Sequence, residues 1–245
     1  MHNIYIPSLG RPNSDFLLKL KILKLPYYIV LAPNQVQDYS KIHPQDKIIV
    51  LPKNLKGISK IRQFILDYTI KKGEKKIWIS DDDLNRFFFW SPTNNKEVTF
   101  KSFIGSAEKE ITKLEKQNPK LVQAGFKYST FAIPKSKLTF GTDIGMIHYL
   151  NLERLQKKVS YDPRMITLED SDFTVQLLKK GFMNVKLNHF IFTAPRSGTG
   201  KGGLENDYQN QAKQKGMLQF QKKYPNLITI IDLKKGKYRI HWRLL

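Results

Sequence analysis

Ile77-Trp78-Ile79-Ser80 runs directly into Asp81-Asp82-Asp83, and no other stretch of the chain restricts the fold as tightly. A short apolar segment rich in Ile and Trp reads as a buried strand, and its abrupt acidic end places carboxylates at the rim of a sheet. Alternation along an extended backbone puts Asp81 and Asp83 on one face and turns Asp82 off it. Three adjacent carboxylates repel one another. A hard divalent cation relieves that repulsion, and Mg²⁺ usually keeps one or two protein carboxylates plus substrate phosphates. The stretch is a candidate metal–diphosphate site, against the alternative of a solvated acidic turn.

The residues before it alternate between two periodicities. Strands are expected at Asn3 to Pro7, Tyr27 to Ala32, Lys47 to Leu51 and Lys75 to Ser80. Helices are expected between them: Leu17 to Leu25 ending before Pro26, Val36 to Ile42, and Gly57 to Lys72. Such alternation implies a mainly parallel sheet with covering helices. Ligands then sit outside the carboxyl ends of the strands, where the cationic turn Ser8-Leu9-Gly10-Arg11-Pro12 and the three aspartates would lie.

The second half is less regular. Arg86 to Trp90 reads as a strand whose aromatic cluster suits a core better than a base-stacking platform. Lys101 to Gln117 reads as a helix, and Leu121 to Ala124 and Gly141 to Ile147 as strands. Leu168 to Lys180 reads as a helix with Glu169, Asp170 and Asp172 in its first turn, where the helix dipole tolerates acids. Asn184 to Phe192 reads as a strand, Glu205 to Tyr224 as a helix, and Ile228 to Leu244 as a hairpin around Lys234-Lys235-Gly236. Without repeats or an obvious linker, residues 1–245 read as a single domain.

Charge is the second strong signal. With 42 Lys and Arg against 21 Asp and Glu, the chain carries +21, which points to a polyanionic partner. Lysine dominates that excess, so part of it is also consistent with compositional drift. The lysines of the C-terminal portion, from Lys213 to Lys237, suit a phosphate grip or a solvated face. No cysteine is present, which excludes disulfides, thiolate nucleophiles and cysteine zinc sites. No apolar run approaches the length of a membrane span, and the N-terminus does not read as a signal peptide. A soluble cytoplasmic protein without a membrane partner is expected.

Four pieces call for a common explanation: the Arg11 turn, Lys60-Ile61-Arg62 early in a helix, the triple aspartate, and Leu168-Glu169-Asp170-Ser171-Asp172-Phe173. Their order resembles that of GT-A glycosyltransferases over roughly Ile4 to Lys201. More narrowly, the strings IYIPSLGRP, GISKIRQFILDYTIKKG, IWISDDDL and LEDSDF resemble the TET-associated glycosyltransferases of bacteriophages, relatives of the base J glucosyltransferase.

The resemblance implies an α/β fold of GT-A, Rossmann-like type: a mixed, mainly parallel sheet with helices on both faces. It implies a nucleotide-sugar-binding half in residues 1–90 and an acceptor-binding half in 91–245. By the same resemblance, Pro7, Ser8, Gly10, Arg11, Arg62, Asp81, Asp82 and Asp83 bind the donor, a UDP-sugar first among candidates, with Arg196 and Lys201 adding contacts. Asp81 and Asp83 hold Mn²⁺ or Mg²⁺, and His189 completes the metal shell. Asp170, with Glu169 beside it, is the general base of an inverting transfer, and the Ser197 to Gly203 loop closes over the donor.

The implied acceptor is the hydroxyl of a 5-hydroxymethylpyrimidine in DNA, which agrees with the independent charge argument. Two other readings stay open on sequence alone. One keeps the donor chemistry but uses a glycan, lipid or protein acceptor; the other is a nucleic-acid-binding protein without catalysis.

Overall fold

The computed structural model describes residues 1–91, 93–129, 136–195 and 211–245. Four strands of the first half, β1 (Asn3–Pro7), β2 (Tyr27–Leu31), β3 (Ile48–Val50) and β4 (Lys76–Ser80), pair in parallel in the order β3-β2-β1-β4. Three helices connect them: α1 (Asp15–Ile22), α2 (Val36–Ser40) and α3 (Ile58–Lys71). Ser14 caps α1 by accepting from the Leu17 amide, and Gly57 leads into α3 at φ +94°, a conformation that suits a residue without a Cβ.

The second half extends the same sheet through β5 (Phe87–Trp90), β6 (Asn95–Val98), β7 (Leu121–Tyr128), β8 (Leu138–Phe140), β9 (Ile147–Asn151) and β10 (Met183–Phe192). The sheet runs β3-β2-β1-β4-β9-β7-β10-β5-β6, with β8 also on β10. β9 is inserted antiparallel between β4 and β7, whereas β7 and β10 are parallel. β5, β6 and β8 complete the sheet through antiparallel pairings, so it is mixed, with most of its strands pointing one way. The antiparallel sense of β9 matters for function. Its lead-in, residues 141–146, is delivered to the edge where β4 ends in the aspartates.

Strand alternation divides the apolar side chains between two faces. Ile4, Ile6 and Trp78 pack on one face with α1 and with α4 (Phe100–Gln117), through Phe16, Leu20, Phe103 and Ala107. Tyr5, Ile77 and Ile79 pack on the other with α3, α5 (Leu152–Leu155) and α6 (Glu169–Lys179), through Ile65, Leu155 and Phe173. Helices therefore cover both faces, as the alternation predicted. A third apolar cluster, including Met165, Val175, Phe220 and Tyr224, joins α6 to α7 (Ala212–Lys223) and to a hairpin of β11 (Ile228–Asp232) and β12 (Lys237–Ile240).

The strand expected at Gly141 to Ile147 begins only at Ile147. Gly141 and Met146 are both left-handed, at φ +59° and +54°, which no strand accommodates. The alternation argument for the aspartates also fails, because the strand ends at Ser80 and the acids lie on irregular backbone.

Candidate active site

The acids that end β4 are held by two arginines from different helical connections. Arg62, on the first turns of α3, is 2% exposed and spans three carboxylates. Its Nη2 donates to Asp81 Oδ1 at 2.8 Å, and its Nη1 donates to Glu169 Oε1 at 2.6 Å and to Asp170 Oδ1. Asp81, Asp83 and Asp170 are 30%, 27% and 19% exposed, so the carboxylates open outward over a buried guanidinium.

Arg11 grips the other two aspartates, with Nη1 2.7 Å from Asp82 Oδ1 and 3.0 Å from Asp83 Oδ2. Asp82 therefore does not point away, as strand alternation would have it. It is the buried member, also accepting from Ser8 Oγ. Tyr39 ties this turn down: its hydroxyl lies 2.7 Å from Ser8 Oγ and accepts from the Arg11 amide at 2.9 Å. The Ser14 hydroxyl, which caps α1, donates to the Asp82 carbonyl at 2.6 Å. Pro7 ends β1, and Gly10 turns at φ +70° with its amide donating to Gln35 Oε1 at 2.8 Å. The turn after the first strand, the Arg62 helix, the aspartates and the Glu169-Asp170 helix start thus meet at one place.

Two non-glycine residues in left-handed backbone shape the rim. Leu168, at φ +62°, sets the turn into Glu169 and Asp170, and Met146 offers its carbonyl to the Asp81 amide at 2.7 Å. Such residues persist only where surrounding structure holds them, and they concentrate at functional sites. Asp143, from the same 141–146 lead-in, accepts from Ser171 Oγ at 3.1 Å and lies near Asp170 and Lys186.

The electrostatics follow from six carboxylates sharing two arginines and Lys186. Burial pushes Asp81 up to about 7 against the pull of Arg62, and the neighbouring Asp170, Asp83 and Glu169 add to the rise. Burial raises Glu169 to about 7 as well, again opposed by Arg62. Asp82 and Asp143 are raised for the same first reason. Burial alone would lower Arg62, but its three carboxylates outweigh that and hold it well above the ordinary arginine value. Behind the cluster, His148 Nε2 and the Tyr161 hydroxyl share a buried hydrogen bond of 2.9 Å.

The donor set suits a hard cation. Asp83 Oδ1 is buried and has no hydrogen-bond partner among the described residues, the kind of orphaned anionic oxygen that a cation completes. Asp81, also partly open, is the carboxylate it would share that cation with. His189 is a different matter. Its Nε2 lies 2.9 Å from Glu110 Oε2 on α4 and its Nδ1 3.3 Å from the Lys137 carbonyl, so the structure does not bring it to the aspartates. Among the described residues no group of three or more His, Asp or Glu is arranged as a metal shell. Arg196, Lys201 and the loop of Ser197 to Gly203 lie outside the described residues.

Sequence reasoning missed Tyr39, Asp143 and Tyr161. Tyr39 and Tyr161 look like ordinary core aromatics, and only Asp143, between Gly141 and Gly145, carried a signal of its own.

The model of the TET-associated glycosyltransferase family matches residues 2–203. Among curated proteins nothing matches the chain. Among solved structures, S. aureus TarS is similar at 14% identity and a TM-score of 0.50, over 96% of this chain and 41% of that one. TarS 1–349 in complex with UDP gives 13% identity, 96% and 68% coverage and a TM-score of 0.48. GalNAc-T7 with UDP, GalNAc and Mn²⁺ gives 9%, 79% and 43%, and 0.49. The fold is the GT-A type that the resemblance implied.

Proposed function

The chain belongs to the TET-associated glycosyltransferase family, and from that premise we propose that it moves a sugar from a nucleotide-sugar donor to the hydroxyl of a 5-hydroxymethylpyrimidine in DNA, with inversion at the anomeric carbon. The observation that carries this reading is the sharing of one buried guanidinium, Arg62, by the proposed metal ligand Asp81 and the proposed base Asp170. Donor and acceptor chemistry then meet within one side chain's reach.

The steps follow from the residues. Arg11, 20% exposed, offers a guanidinium fork that matches phosphate oxygens, a charge-assisted contact roughly twice as strong as a neutral one, while Arg62, buried beneath its carboxylates, serves the donor by positioning them. Asp81 and Asp83 would hold Mn²⁺ or Mg²⁺, which neutralises the charge that develops on the departing nucleoside diphosphate. Arg62 stays buried under its three carboxylates and holds Asp170 in place, with that side chain 19% exposed. Asp170 then takes the proton of the acceptor hydroxyl as its oxygen bonds to the anomeric carbon. The bond from that carbon to the diphosphate breaks in the same displacement, and the electron pair leaves with the nucleotide. General-base help of this kind contributes about 10²–10⁴-fold. One base and no second carboxylate assigned as nucleophile favour inversion.

The acceptor assignment is supported by family membership and by a net charge of +21, which suits a phosphate polymer. The test is release of free nucleoside diphosphate from a panel of nucleotide sugars, UDP-sugars first, with Mn²⁺ or with chelator. Acceptors are hydroxymethylated duplex, unmodified duplex and simple glycans. The expected result is metal-dependent release that only hydroxymethylated duplex accelerates. Acceleration by glycans alone would overturn the DNA assignment, and no release with any donor would overturn the donor site.

A further inference from the structure

Residues 211–245 lie beyond the part of the chain that the family model matches, yet they are packed against the elements that carry the acids. Gly216 of α7 touches Thr167, two residues before Glu169, so closely that a Cβ would run into the Thr167 hydroxyl. Gln219 Oε1 accepts from the Ile166 amide at 3.2 Å. Lys223 Nζ lies 2.6 Å from Asp172 and 2.8 Å from Asp162, and the Tyr224 hydroxyl donates to the fully buried Asp172 at 2.8 Å. Asp172 sits in the first turn of α6, directly after Glu169-Asp170-Ser171. The segment is therefore braced against the acid-bearing end of that helix.

Its charge is one-sided. Residues 211–245 hold seven Lys and two Arg against the single acid Asp232. Lys223 is used in the brace. Lys234, Lys235, Lys237 and Arg239 are exposed on the hairpin, and the turn leans on α7, where Gly236 packs against the Lys213 side chain. Among the described residues the ion pair at the turn is a loose one, Lys235 to Asp232 at 3.8 Å. The hairpin also has two distinct faces. Ile228, Ile230, Tyr238 and Ile240 turn inward to the apolar cluster. Thr229, paired with Arg239, and Ile231, 60% exposed, turn outward together with Lys237.

We propose that this C-terminal helix and hairpin form the clamp that holds the acceptor duplex, an inference that rests on the DNA acceptor proposed above. The lysines at the turn contact backbone phosphates. The outward face of the two-stranded ribbon lies in the major groove, which has room for such a ribbon. The C5 substituent of a pyrimidine opens into that same groove. The bracing against α6 fixes the distance between the gripped phosphates and Asp170.

The test uses the full chain with Lys234→Gln, Lys235→Gln, Lys237→Gln and Arg239→Gln combined. Binding of a fluorescent hydroxymethylated duplex is followed by anisotropy from low to moderate salt, with circular dichroism and melting as folding controls. Removal of these four positive charges should flatten the plot of log affinity against log salt by up to about 3 to 4, and weaken binding at least ~10-fold at low salt. The single variants Lys237→Glu and Arg239→Glu should show smaller changes of the same sign, should the combined variant fold poorly. Unchanged affinity and slope, with wild type binding duplex, would overturn the clamp and leave the acceptor assignment standing. Failure of wild type to bind duplex at low salt would overturn both. Equal binding of heparin by wild type and by the combined variant would show that these residues do not read a polyanion at all.

Discussion

Arg62 is asked to neutralise Asp81, Glu169 and Asp170 from a position that water does not reach. Removing one partner from a buried ion pair leaves charge unpaired and costs about 3–5 kcal/mol. Arg62→Ala should therefore lower the unfolding free energy read from urea denaturation by an amount in that range at neutral pH, and Arg62→Lys should recover part of it without the fork. A midpoint unchanged in Arg62→Ala would contradict the account of the cluster. Asp83→Ala and Asp170→Asn act on chemistry instead. Each should reduce transfer by 100-fold or more without weakening duplex binding; transfer retained in either variant removes the role assigned to that residue.

His148 allows a pH test at the same scale. It is fully buried, and burial with the nearby Arg62 charge pushes its imidazole well below the ordinary value. The folded state keeps the ring neutral while the unfolded chain takes up a proton near pH 6.5. That contribution to stability is complete above about pH 6.5 and is lost below it, by up to about 1.4 kcal/mol per pH unit. Asp81 and Glu169, both raised to about 7, act in the opposite sense from about pH 4 to 7, since the folded carboxyls hold protons that unfolded ones release. Comparing wild type with His148→Gln isolates the imidazole. Between pH 7.5 and 5.5 the wild type should lose stability relative to the variant; parallel curves would mean that the ring titrates normally.

At the scale of elements, the docking of α7 depends on Gly216. With Thr167 against it, Gly216→Ala forces either helix or loop to move, and overpacking of this type costs about 1–3 kcal/mol. Amide exchange should report that cost in α7 and in the Thr167 to Asp172 segment, and leave β1 and β4 unchanged. Uniform exchange across the sheet would show that α7 is not a separable brace.

The elements legible in the sequence were those with an apolar signal of their own. β1, β2, β4, α3 and α4 fall within a residue or two of their expected positions. β6, Asn-Lys-Glu-Val on the sheet edge, was not foreseen, because its side chains are largely exposed and only pairing with β5 makes it a strand. The strand expected at Gly141 to Ile147 fails up to Met146 for a related reason. The identity of that stretch comes from two left-handed residues, and only one of them is glycine. The site was legible as a set of acids and arginines but not as a geometry. That Arg62 takes Asp81 while Arg11 takes Asp82 and Asp83 depends on which helices cover which face. The separation of His189 from the aspartates rests likewise on its engagement with Glu110 of α4.

The molecule as a whole joins an acidic site to a strongly basic surface, at +21 overall. The basic surface attracts a polyanion over the Debye length, about 8 Å at physiological ionic strength. The carboxylates repel that polymer from the chemistry until their charge is balanced. A divalent cation at Asp81 and Asp83 would offset part of that charge, so on the proposed reading the acceptor reaches the site more readily once the metal is bound. One measurement tests this most directly. Hydroxymethylated duplex is incubated with protein, a UDP-sugar and Mn²⁺, digested to nucleosides and weighed by mass spectrometry, beside the same reaction with Asp170→Asn. The expected result is a mass gain of one sugar on the hydroxymethylated pyrimidine, present with wild type and absent with the variant. Donor consumed with no gain on any nucleoside, across all donors, would contradict the assignment of DNA as the acceptor.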